Sequence, residues 1–233
     1  MTQPKVIVLD FDGVIVDSES GKREAWSTLF RTMHDPAGFS WSGVDTPPLI
    51  AQALEIWIDG EAKGSRYEII EHIMDGARYP KTSERVRLYA DAYTKLAEEL
   101  IEQSGMADDT RDVLAALSAR FPLYMNSGTP QEALTSIVEK LGIDAYFRKV
   151  LGKNPANRDT SKVDNLRIAA QDESVSPSEV LFIGDLESDY RAAQSFGCAF
   201  IRFSGSSYGK KKEWDSPTPH MITRLSEIAH FLS

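Results

Sequence analysis

Short apolar runs, rich in β-branched residues, recur along the chain. They are Val6-Ile7-Val8-Leu9, Leu123-Tyr124-Met125, Val180-Leu181-Phe182-Ile183 and Cys198-Ala199-Phe200-Ile201, with a weaker one at Lys149-Val150-Leu151. They are continuous rather than alternating, as strands buried on both faces of a parallel sheet are. Helical periodicity fills the gaps. From Pro130 to Leu141, apolar residues at Ala133, Leu134, Ile137, Val138 and Leu141 share one helix face, and Gly142 supplies the stop. Val163 to Ala170 repeats the pattern after Thr160 and Ser161, either of which could cap it, and Ser188 to Phe196 is closed by Gly197. Strands and helices in this alternation predict a doubly wound α/β domain with a mostly parallel sheet.

More than a hundred residues separate the first two apolar runs, too many for one crossover. The stretch from about Ser20 to Gly105 reads as helices without strands. Gly21 to Met33 carries Ala25, Trp26, Leu29 and Phe30 on one side, and Ser83 to Ile101 forms a long amphipathic helix. Two turn-rich segments lie between them, Asp35-Pro36-Ala37-Gly38 and Asp45-Thr46-Pro47-Pro48. The expected organisation is an α/β core over 1–17 and 106–233, interrupted by an all-helical insertion over 18–105.

Composition narrows the function. The 233 residues are 42% hydrophobic and 26% charged, ordinary for a globular chain, and the net charge is −9. No basic stripe suggests nucleic acid, since Glu213 and Asp215 follow the one dense run, Lys210 to Lys212. No run approaches the ~18 apolar residues of a membrane span. No charged leader precedes a long apolar stretch, so the expected location is the cytoplasm. The single cysteine, Cys198, forms no internal disulfide and is read as a buried strand residue. His34, His72, His220 and His230 lack metal-ligand spacing.

The chemistry lies where apolar runs end. Asp10 and Asp12 follow the first run and precede Gly13, which lets the chain turn sharply. In open α/β sheets ligands bind outside the carboxyl ends of the strands. Two carboxylates so close repel unless a cation sits between them. Asp185 leaves the run ending at Ile183-Gly184, and Asp189 lies on the first turn of the next helix. Magnesium prefers such hard oxygen ligands. Ser127-Gly128-Thr129 ends another run, where a hydroxyl and free N–H groups can cradle phosphate or simply cap the helix. Lys162 opens a helix, a locally unfavourable place for a cation unless it has an anionic partner.

In chain order these pieces read Asp-x-Asp-Gly, Ser-Gly, Lys and Gly-Asp-x-x-x-Asp. The series resembles the haloacid dehalogenase-like hydrolases, and within them the phosphatases with a helical cap inserted after the first motif. The resemblance covers nearly the whole chain and implies a Rossmann-like core. It implies a magnesium-dependent phosphatase acting on a small phosphorylated metabolite. Asp10 would be the nucleophile that forms an aspartyl-phosphate, and Asp12 the general acid and then base. Asp10, the Asp12 carbonyl and Asp185 would hold magnesium, with Asp189 as a further or supporting ligand. Ser127, Gly128 and Lys162 would bind the phosphoryl group. Asn126 and Ser127 are adjacent at the strand end, and Ser127 is favoured because Gly128 and Thr129 continue the cradle.

Three other activities and a non-catalytic role are weighed against this. Dehalogenases and phosphonate-cleaving relatives lack an aspartate two after the nucleophile, so Asp12 argues against both. Sugar-phosphate mutases usually carry a histidine before an Ala-Trp pair, where this chain has Lys22. A binding protein on an inactive scaffold would have lost a catalytic carboxylate, and none is missing. Lys22, Arg23, Lys63, Arg66 and Tyr67 are the candidates for selecting the leaving group. Trp26, Trp41 and Trp57 are read as the core of the insertion.

Overall fold

A computed structural model describes residues 3–36, 38–56, 65–107, 109–154, 161–206, 214 and 220–232. Lys63, Trp57 and the Lys210–Lys212 run lie outside the described residues. The chain divides into two compact units, Met1–Glu19 with Ile101–Ser233, and Ser20–Leu100.

The first unit is built on a six-stranded sheet. Its strands are β1 (Val6–Leu9), β2 (Leu123–Pro130), β3 (Lys149–Lys153), β4 (Val180–Gly184), β5 (Ala199–Phe203) and β6 (Met221–Ile222). The order is β3-β2-β1-β4-β5-β6, and every pairing is parallel. All four β1 residues are fully buried, as their unbroken apolar run requires. Val6 and Val8 pack with Tyr124, Phe182, Leu166, Ala169 and Ala193 in one cluster. Ile7 and Leu9 face the other side of the sheet, because side chains alternate along a strand.

Sequence and structure differ at four places in this unit. The serine-containing segment does not end β2. The strand runs on to Pro130, with an irregular register against β3 between Asn126 and Pro130. Cys198 is not a buried strand residue: β5 begins at Ala199, and Cys198 is half-buried just before it. The left-handed turn at Gly197 that closes the preceding helix delays the strand by one residue. Burial still pushes its thiol up to about 12, which leaves it a poor nucleophile. Helix α5 (Thr110–Ser118) and strand β6 were not anticipated.

The remaining helices of this unit are α6 (Gln131–Lys140), α7 (Lys162–Asp172) and α8 (Glu187–Phe196). Ser161 caps α7: its hydroxyl accepts from the Asp164 N–H, and the Asp164 carboxylate accepts from the Ser161 N–H. The second unit contains helices α1 (Glu19–Thr32, from Ser20), α2 (Thr46–Leu54), α3 (Arg66–Gly76) and α4 (Ser83–Ser104, to Leu100), and no strand among its described residues. Its core joins Trp26, Leu29, Phe30, Trp41, Ile70, Ile73, Met74 and Tyr89. Among the described residues no helix is long and apolar enough to cross a membrane.

Candidate active site

Strand order reverses direction at β1, with β2 on one side and β4 on the other. At such a switch point loops diverge and leave a crevice at the carboxyl edge. Leu9 is level with Met125 on β2 and Ile183 on β4. The next residues out are therefore Asp10, Asn126 and Gly184, followed by Phe11, Ser127 and Asp185. This register alone brings the first and last aspartate motifs to one place.

Two glycines make the approach possible. Gly13 has φ +76°, in the left-handed region, and a Cβ there would fall on the Asp185 carboxylate. A Cβ on Gly184 would lie 2.6 Å from the Cβ of Asp189. Asp189 is thus held against the end of β4, where one carboxylate oxygen accepts from the Leu186 N–H at 3.1 Å.

Asp10, Asp185 and Asp189 are buried, and one carboxylate oxygen from each lies within 4.8 Å of the others. Lys162 joins them from the first turn of α7. Its Nζ donates to Asp10 at 2.7 Å and to Asp189 at 2.6 Å. The anionic partner that a lysine at a helix start requires is therefore present. Burial alone would lower the Lys162 pKa, but attraction to Asp10 and Asp189 holds it above the ordinary lysine range.

One lysine does not balance this cluster. Burial, aided by repulsion from Asp189, Asp185 and Asp12 and opposed by Lys162, raises Asp10 well above the usual carboxylate range. Burial and then the Asp189 charge raise Asp185 to about 7. Among the described residues, the buried Oδ1 of Asp185 has no hydrogen-bond partner. A buried carboxylate oxygen without a donor is costly unless a cation takes that place. A hard divalent cation bound by oxygen fits this donor set.

Asp12 has a different environment. Its Oδ2 accepts from Ser127 Oγ at 3.1 Å and Thr129 Oγ1 at 2.9 Å, and its Oδ1 accepts from Ser18 Oγ at 2.5 Å. The Asp12 side chain is thus engaged by hydroxyls, while the carboxylates of Asp10, Asp185 and Asp189 converge. Strand alternation separates Asn126 from Ser127: Ser127 turns to Asp12, and Asn126 turns to α7, donating to the Lys162 carbonyl at 2.9 Å. Gly128 is exposed within β2. The hydroxyls of Ser18 and of Ser206, which donates to Asp185 at 3.3 Å, were not singled out in the sequence. Neither belongs to a spaced motif.

Four of the specificity candidates belong to the second unit. Lys22 and Arg23 lie on α1, and Arg66 and Tyr67 on the first turn of α3. The Arg66 guanidinium stands 4.9 Å from the Tyr67 ring centre.

Comparison with known proteins agrees with this geometry. Residues 4–197 match the family model described as haloacid dehalogenase-like hydrolase. Phosphoglycolate phosphatase of Escherichia coli strain K12 is 25% identical over 219 residues, covering 91% of this chain and 86% of that one. A predicted phosphoglycolate phosphatase from Haemophilus somnus 129PT has a similar fold, with TM-score 0.71, 20% identity and full coverage of both chains. The magnesium-bound HAD-hydrolase YfnB of Bacillus subtilis aligns with TM-score 0.68 and 16% identity over 99% of each chain. The chain belongs to the haloacid dehalogenase-like hydrolases, and it stands with their phosphatases.

Proposed function

We propose that the protein is a magnesium-dependent phosphatase that hydrolyses a small phosphate monoester through an aspartyl-phosphate on Asp10. The observation that carries this reading is the convergence of Asp10, Asp185, Asp189 and Lys162 at the switch point, beside an Asp12 held by three hydroxyls.

The roles follow from position. An Asp10 carboxylate oxygen attacks phosphorus, and the bond from phosphorus to the ester oxygen breaks. Asp12 gives a proton to the departing oxygen. It then takes one from the water that attacks phosphorus, which breaks the phosphorus–Asp10 bond and releases inorganic phosphate. Ser127 and Lys162 bind phosphoryl oxygens, and the Lys162 charge offsets their negative charge. Asp10, Asp185 and Asp189, with the Asp12 carbonyl, would hold magnesium. When bound, it supplies positive charge that lets an anionic carboxylate approach an anionic phosphate.

The curated relatives named as phosphoglycolate phosphatases make 2-phosphoglycolate the first substrate to try. The test is phosphate release from a panel of phosphorylated small acids, sugars and nucleotides, in magnesium and then in EDTA. Release that requires magnesium supports the reading. Undiminished release in EDTA contradicts the role given to the metal, and a folded protein inert on the whole panel contradicts the phosphatase.

A further inference from the structure

Lys162 is held in place by more than its ionic partners. Asn126, in the middle of β2, is fully buried, and Asn165, one turn into α7, is nearly so. Asn126 Nδ2 donates to the Lys162 carbonyl at 2.9 Å. Asn165 Nδ2 donates to Asn126 Oδ1 at 2.9 Å and to the Leu151 carbonyl on β3 at 3.3 Å. Neither amide can be turned over without losing bonds. The Lys162 and Leu151 carbonyls only accept, so each asparagine must present its NH₂ to them.

We propose that Asn126 and Asn165 form a positioning clamp for the phosphoryl-binding lysine. Two amides tie the first turn of α7 to β2 and β3. A helix tied at both Lys162 and Asn165 cannot rotate about its axis, so the Lys162 ammonium stays aimed at Asp10 and Asp189. The next residue of β2, Ser127, turns toward Asp12, so both groups proposed to hold the phosphoryl share one rigid support. A plain core would have used apolar side chains here, since buried amides stabilise only when every bond is made. This inference rests on the phosphatase reading for the role of Lys162, but not for the geometry.

The test compares the whole wild-type chain in magnesium with Asn165→Ala, Lys162→Ala and the double variant. One readout is the steady-state rate on the monoester that the wild type hydrolyses. The other is inorganic phosphate affinity by titration calorimetry. Asn165→Ala is expected to lower kcat about 10-fold or more and to weaken phosphate binding, since sub-ångström placement governs such effects. Where Lys162 is already alanine, the same change should alter the residual rate less than about threefold. Asn126→Ala removes the donor to the Lys162 carbonyl and should lower kcat by a similar factor. It also carries the comparison should Asn165→Ala not fold. An equal loss with and without Lys162 would show that the amides serve the fold alone, and an unchanged kcat would equally overturn the clamp. A wild type that releases no phosphate but binds it overturns the phosphatase reading instead. The calorimetry then decides the clamp, with undiminished affinity in Asn165→Ala counting against it. A wild type that binds no phosphate contradicts both.

Discussion

Asp10 and Asp12 stand two residues apart yet meet different surroundings. Asp10 is buried among carboxylates and one ammonium, whereas Asp12 is wrapped by hydroxyls. That contrast suits a nucleophile and a proton carrier. Asp12→Asn is expected to keep the fold and lose roughly 10²–10⁴-fold in kcat, as removal of a general acid does. A loss under about threefold in steady-state assays would remove Asp12 from that role. Asp185 gives a pH prediction. Its folded pKa of about 7 lies above the ordinary carboxylate value of 3.8. The metal-free protein should therefore lose stability as pH rises from about 4 through about 7, where the buried carboxyl is forced to ionise. Magnesium at the proposed site would need the ionised form, so its apparent affinity should rise over the same range. Thermal melts with and without magnesium at several pH values check both, and the stabilisation by magnesium should be larger at pH 8 than at pH 5. Asp10 and Asp185 were legible in the sequence because each directly follows a buried apolar run. The amide clamp was not, because Asn126 and Asn165 lie 39 residues apart and meet only through packing.

At the scale of elements, glycines and caps decide whether the motifs converge. Gly13→Ala must place a side chain at φ +76° and against the Asp185 carboxylate. The backbone strain alone costs about 1–2 kcal/mol, and the displaced Asp185 should weaken magnesium binding. Urea unfolding and metal titration of the variant measure the two effects separately. Element types were legible wherever one period dominated, as in β1, β4 and α6. Ends were less so. The extension of β2 to Pro130 and the late start of β5 depend on pairing with neighbouring strands and on the Gly197 turn. Helix α5 carries apolar residues at Val113, Leu114 and Leu117 over only nine residues, too brief for periodicity alone to identify.

At the scale of the whole molecule, the two units are stabilised differently. The α/β unit buries continuous strands. The helical unit adds a polar network to its aromatic core. Arg85 Nε lies 2.6 Å from Asp35 Oδ2, with both side chains largely buried. Tyr79 donates to the same oxygen at 3.4 Å, and Trp41 Nε1 donates to Tyr89 OH at 2.7 Å. Asp35→Ala would remove the carboxylate paired with Arg85 and is expected to destabilise this unit by about 1–3 kcal/mol. Denaturant unfolding followed by tryptophan fluorescence reports it, because Trp26 and Trp41 lie in that core. The acidic balance of the chain also has a local counterpart, since the aspartate cluster outnumbers its lysine.

The most direct test of the account is chemical trapping on Asp10. The wild-type protein would be mixed with its substrate in magnesium, quenched in acid within one turnover, and digested for mass spectrometry. The account predicts one phosphoryl group on the peptide containing Asp10, and neither that adduct nor turnover in Asp10→Asn. Phosphate release that survives in Asp10→Asn, or a phosphoryl group on another residue, would contradict it.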